Sequence, residues 1–142
     1  MAGGRDVNYI DSFIAVADDC PASEGVAPQE KGGKKTVAVI QYELLLGHPY
    51  EYTQEDVLFK THVLHKGITA AELKSKGKKL REDFFEKEQP CLRTSPLARR
   101  YGWGFHFDPD GKVAMFPVGS KDYDRLSKRA TKVMKAMRTS RA

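Results

Sequence analysis

The stretch "WGFHFDPDGKVAMFPV", residues 103–118, constrains this chain more than any other. Trp103, Phe105 and Phe107 alternate, so one face of an extended segment is aromatic. "DPDG" then supplies turn chemistry, and Val113, Ala114, Met115 and Phe116 give a return strand. Alternation of period two broken by Pro, Asp and Gly specifies an antiparallel hairpin turning through Asp108–Gly111. A two-stranded hairpin is marginal alone, so its aromatic face must be covered by other elements.

Those elements can be sought on both sides. "SFIAVADDCP" reads as a strand, with Phe13, Ile14 and Val16 as strand formers stopped by Asp18, Asp19 and Pro21. Residues 22–35 hold Gly, Pro and charges without periodicity, which predicts a mobile loop. "TVAVIQYELLLGHP" carries signals of both kinds. Its β-branched start suits a strand. Thr36 as cap, Val37, Ile40 and Leu44 at helical spacing, and the Gly47 and Pro49 stop favour a helix. Thr53 can cap a helix that ends at Gly67, with His65 and Lys66 near its negative end. Thr69 and Glu72 have capping-box spacing before a stripe of Leu73, Gly77, Leu80 and Phe84. Gly77 in that stripe suggests a kink or a close helix contact.

Pro90 ends this helix. Ser95 and Pro96 start a short one, which stops at Gly102. Ser120 caps a last helical region, whose end places Ala130, Val133, Met134 and Met137 at i, i+3, i+4 and i+7 with lysines opposite. The expected fold is α+β: a small antiparallel sheet, made of the N-terminal strand and the hairpin, with helices packed mainly on one face. One domain over residues 1–142 suffices, and residues 138–142 read as a frayed tail.

Function classes narrow by exclusion. No apolar run approaches the roughly 18 residues of a membrane span, and "MAGGRDVNYIDSF" lacks the apolar segment of a signal peptide. Cys20 and Cys91 are too few for a disulfide framework and have no metal-finger spacing, so a reduced, cytoplasmic protein is expected. Charge is segregated: residues 1–59 hold four basic and ten acidic side chains, whereas residues 60–100 hold eleven and five, and residues 120–142 eight and two. The halves can attract each other within the fold, or leave a basic face for an anionic partner.

Candidate chemistry concentrates in "PCLRTSPLARRYGWGFH", residues 90–106. Cations such as Arg93, Arg99 and Arg100 favour the thiolate, the nucleophilic form of Cys91. Ser95 opens a helix whose N–H groups, with Arg93 nearby, suit a phosphate or carboxylate. Tyr101, Trp103 and, from "HPYEYT", His48 are further candidates to line such a site. His106 points away from the aromatic face, where a base or ligand contact can stand. The leading expectation is a binding module for a small anionic ligand, using Arg93, Ser95, Arg100, Tyr101, Trp103 and His48. The alternatives are a thiol enzyme or redox protein using Cys91 with His106 or Cys20, and an interaction or nucleic-acid-contacting domain using the basic C-terminal helix. Metal and cofactor signatures are missing: "THVLH" lacks the Glu of a helical zinc motif, and neither "GWG" nor "EKGGKK" has phosphate-loop spacing.

The segments "FIAVADDCP", "QYELLLGHPYEYTQEDVLF", "PCLRTSPLARRYGWGFH" and "KAMRTSRA" resemble a family of small bacterial proteins described only as a domain of unknown function. The resemblance spans nearly the whole chain. It implies a single-domain, soluble bacterial protein and carries over no activity, cofactor or catalytic residue. It marks Cys20, Cys91, Arg93, Ser95, Arg100, Tyr101, Trp103 and His106 as the region to inspect.

Overall fold

The computed structural model describes residues 8–138. The hairpin forms as the alternation predicts, from β3 (Trp103–Phe107) and β4 (Lys112–Pro117), with Phe105 opposite Met115 and His106 opposite Ala114. Its turn is fixed by the Asp108 carboxylate, which accepts from the backbone N–H of Asp110 and of Lys112, each at 2.9 Å. Gly111 supplies the left-handed residue at φ 80°. The N-terminal strand β1 (Ser12–Ala15) lies antiparallel to β3.

Helices begin where the sequence places their caps. Residues 36–47 resolve to helix α1 (Val37–Leu46), capped by Thr36, whose hydroxyl accepts from Val39 N at 3.3 Å. Helix α2 (Gln54–Lys66) starts with a capping box of Thr53 and Asp56 and ends at the left-handed Gly67. Helix α3 (Ala70–Glu86) starts with the Thr69–Glu72 box. A single 3₁₀ turn at Leu92–Thr94 leads to the four-residue α4 (Pro96–Arg99), capped by Ser95. Helix α5 (Lys121–Arg129) follows Ser120.

Three expectations change. The sheet has five strands in the order β2-β4-β3-β1-β5 and is mixed, not purely antiparallel. Its extra members are the two-residue β2 (Tyr52–Thr53) beside β4 and β5 (Lys132–Lys135), which runs parallel to β1. The second change follows from the first. The C-terminal helix stops at Arg129, and Val133 and Met134 belong to a strand. An apolar run this short fits either period. The open edge of β1 decides between them by accepting N–H groups, Thr131 N to Asp11 O at 3.0 Å and Ala136 N to Ala15 O at 2.8 Å. Third, a Cβ at Gly77 would meet nothing within 4 Å, and α3 runs unbroken through it, so this glycine marks neither a kink nor a close contact.

The two faces of the sheet are covered unequally. Ile14, Phe105, Phe107, Val113 and Met115 pack against Leu45, Val57, Leu92, Leu97 and Ala98, forming the main core under α1, α2 and α4. On the other face Phe13 meets Tyr123 and Leu126 of α5, with the Phe13 and Tyr123 rings 4.9 Å apart and edge-on. Burying Phe13, Phe105 and Phe107 contributes about 1.5–3 kcal/mol each. Helix α3 buries none of its residues fully; Arg81 ties it to α2 by ion pairs with Glu55 and Asp56 at 3.0 and 2.9 Å. Burial pushes the Asp56 carboxyl up, but the N–H of Thr53 and the Arg81 guanidinium outweigh it and hold it below the usual range. Residues 22–35 lack helix and strand apart from a Lys31–Lys34 bridge, and Val26 fastens them to Tyr101 and Trp103. Of the expected frayed tail, residues 139–142 lie outside the described residues.

Candidate functional site

The segment from Cys91 to His106 crosses from the helical side of the sheet into the sheet itself, so its polar residues do not converge. Ser95 is buried. Its hydroxyl accepts from Leu97 N at 3.2 Å and donates to Gln41 Oε1 at 2.6 Å. Arg93 bonds the last strand and the segment after it: Nε donates to Lys135 O at 2.8 Å, and its own carbonyl accepts Met137 N at 2.8 Å. Arg99 Nη2 donates to Arg138 O at 3.1 Å, and its Nε is buried without a partner among the described residues. Trp103 donates from Nε1 to Val26 O at 2.9 Å, and its ring stands edge-on to Tyr42 at 5.6 Å. Tyr101 is half-buried against the main core and accepts Val26 N through its carbonyl, while Arg100 is exposed. Most of these groups hold the chain's own loops and C-terminal strand.

Cys91 is placed differently, for two clefts meet at it. One, of about 280 Å³, is lined among others by Tyr9, Gln54, Leu58, Phe85 and Cys91. The other, of about 240 Å³, is lined among others by Gln41, Thr61, His62, His65 and Cys91. Gln54 fixes the approach to Cys91, since its Oε1 accepts Leu92 N at 2.8 Å from inside the core. Burial, and after it a hydrogen bond with the Cys91 thiol, push the Tyr9 hydroxyl up to about 12, so Tyr9 stays protonated at neutral pH. His62 lies against Phe84 with ring centroids 4.5 Å apart. Burial holds its imidazole below the ordinary value, and the charges of Lys66 and His65 add to this.

His106 is on the opposite face of the sheet. Strand alternation sends Phe105 and Phe107 into the main core and His106 to the side of Phe13, so the pairing of Cys91 with His106 is not assembled. Its Nδ1 is 2.8 Å from the hydroxyl of Tyr50, a residue held at φ 59°. Burial lowers the His106 pKa, aided by Arg125 and opposed by Asp108 and Asp11. His48 pairs with Glu51 at 2.6 Å in an exposed corner and lines neither cleft. Cys20 and Cys91 are both free thiols, and Cys20 Sγ lies 3.8 Å from Ala22 O. No three His, Cys, Asp or Glu side chains gather as metal ligands would, among the described residues.

Sequence reading missed Tyr9, Gln54 and the role of His62. Only the i, i+3 spacing of His62 and His65 put the two on a shared helix face; without the Glu of a zinc motif that spacing gave no metal site, and it did not show a cleft wall. The model of a family of unknown function, DUF6157, matches residues 4–142. No curated protein and no solved structure matches the chain.

Proposed function

We propose, from the premise that the chain belongs to the DUF6157 family, a family of unknown function, that it is a binding module for a small anionic ligand. The ligand sits in the cleft that Cys91 shares with His62 and His65. One observation carries this reading: the lining of that cleft brings two imidazoles together with the amide groups of Gln41 and Gln89 and includes no carboxylate. Ser95 donates to the oxygen of Gln41, which leaves the Gln41 NH₂ as the donor end of that amide. The volume suits a small metabolite rather than a large cofactor. Ser95 supports the cleft wall instead of contacting the ligand, since its hydroxyl is taken up by Gln41, and Arg93 lines neither cleft.

A cleft whose cations are imidazoles binds anions more tightly as pH falls. Sulfate is the useful probe, because its charge is constant from pH 5.5 to 8 and any pH dependence belongs to the protein. At constant ionic strength against chloride, sulfate raises Tm by mass action, and more at pH 5.5 than at pH 8. Generic exclusion of sulfate from the surface adds a background that the variant shares. In His62→Gln/His65→Gln the difference between the two pH values disappears. A difference that persists in this double variant sinks the reading.

A second reading rests on Cys91 and His62 lining one cleft. Cys91 then acts as a nucleophile and His62, not His106, takes its proton. If so, Cys91 alkylation by iodoacetamide slows in His62→Gln and is unchanged in His106→Gln. Equal rates in wild type and His62→Gln exclude it.

A further inference from the structure

Helix α3 is held to the protein by its second half. Arg81 pairs with Glu55 and Asp56, and Phe84 stacks on His62 at 4.5 Å and stands edge-on to Phe59 at 5.8 Å. Its first half differs in kind. The run "KSKGKK", residues 74–79, carries Lys74, Lys76, Lys78 and Lys79 without an acidic residue, and all four lysines are exposed. Among the described residues only Lys79 has an ion pair, with Asp83 at 3.5 Å.

This charge runs against the helix itself. Lysines favour the negative C-terminal end of a helix and acids the positive N-terminal end. In α3 the lysines follow the first turn directly, while Asp83 and Glu86 occupy the end and the last turn holds no basic residue. Lys74 and Lys78, four apart, repel each other across one turn. Opposite charges four apart, Glu72 with Lys76, Lys78 with Glu82 and Lys79 with Asp83, offset part of this cost, so what sets the segment apart is four clustered, exposed lysines on a helix that buries no residue.

We propose that the first half of α3 is a docking surface for double-stranded DNA. At about 100° per residue, Lys76 lies about 200° round the helix from Lys74, and Lys79 about 140°. Cations on opposite sides of one helix match the major groove, which admits a helix between two walls of phosphates. On the outward side, between Lys74 and Lys78 to one hand and Lys76 and Lys79 to the other, stands the exposed Ser75, whose small side chain does not obstruct close approach. A membrane-surface helix needs a broad apolar face opposite its cations. Leu73 is the one large apolar side chain within residues 70–79. Duplex RNA is disfavoured by a major groove too narrow to admit a helix.

The test is fluorescence anisotropy of the whole chain with a labelled 20-base-pair DNA duplex between 50 and 200 mM KCl. Four phosphate contacts give a log–log salt slope of about −3.6, so the fourfold rise in salt weakens binding about 150-fold. Lys74→Gln/Lys76→Gln/Lys78→Gln should leave a slope of about −0.9. The control Lys121→Gln/Lys128→Gln/Lys132→Gln, with the same change in charge on α5 and β5, should keep the original slope. Circular dichroism checks that the triple variants are folded; if the α3 triple is not, Lys76→Gln alone must flatten the slope by about 0.9. The proposal is overturned if 50 mM KCl gives no binding, if both triple variants lose slope equally, or if duplex RNA or phosphatidylserine vesicles bind as tightly as DNA at the same salt.

Discussion

Gly104→Ala tests the packing of α5 on the open face of the sheet. Gly104 stands in β3 opposite Phe116, and a Cβ there would lie 2.5 Å from Tyr123 Cε2, 2.9 Å from Phe13 Cζ and 3.0 Å from Ile14 O. Tyr123 has little room to retreat, because its hydroxyl accepts Val16 N at 3.0 Å. Forcing a methyl into such a contact costs about 1–3 kcal/mol. Losing the Val16 bond adds about 0.5–1.5 kcal/mol if Tyr123 does move. The lower entropy of the unfolded alanine chain returns about 0.4–1 kcal/mol. A net loss of about 1–3 kcal/mol follows, or a fall in Tm of roughly 3–9 °C for a chain of this size. Urea unfolding followed at 222 nm should give a lower midpoint at an unchanged m-value. In a Tyr123→Ala background the nearest atom is gone, so the cost of Gly104→Ala should shrink. A variant within about 0.5 kcal/mol of wild type, or an equal cost in both backgrounds, would refute the reasoning.

Gly77→Ala should act in the opposite direction. The site is a helix interior with open space at the new Cβ, so calorimetry should find a gain of about 1 kcal/mol; a loss would mean that α3 is not continuous there. Arg93→Met keeps the aliphatic stem but removes the bond to Lys135 O, which should cost about 0.5–1.5 kcal/mol and speed amide exchange through Val133–Ala136. Unchanged exchange in β5 would deny Arg93 its role as a brace.

How much of this architecture was legible depends on the range of the interactions behind each element. The hairpin, the caps at Thr36, Thr53, Thr69 and Ser120, and the stop at Gly67 rest on contacts within a few residues, and they occur where the sequence marks them. β5 does not. Its residues carry apolar positions that fit a helix, and the vacant edge of β1 at the other end of the chain makes them a strand. β2 has two residues, too few for any period, and is a strand only because β4 offers Lys112 and Val113 for pairing. The same long range hid the second layer. Phe13 looks like any strand residue until Tyr123 and Leu126 arrive to cover it.

The polar density of residues 91–106 has a physical explanation that also sorts its members. This segment joins the helical layer to β3, and three irregular pieces of backbone end against it. Ala17 N bonds Ala98 O, Val26 bonds Tyr101 and Trp103, and the chain after β4 returns as β5 to Arg93 and Arg99. Irregular buried backbone must find partners outside regular ladders, and side chains supply many of them. A junction of this kind therefore collects arginine, serine and tryptophan whether or not a ligand binds there. Residue type cannot separate the two uses, but commitment can. Arg93 and Trp103 bond the chain itself and line neither cleft, and Ser95 spends its hydroxyl on Gln41, whereas Cys91 and the His62 imidazole line open volume. The proposed site is thus narrower than the motif. It draws on a histidine of α2, which is outside the motif altogether, because α2 and not β3 lines the cleft at Cys91.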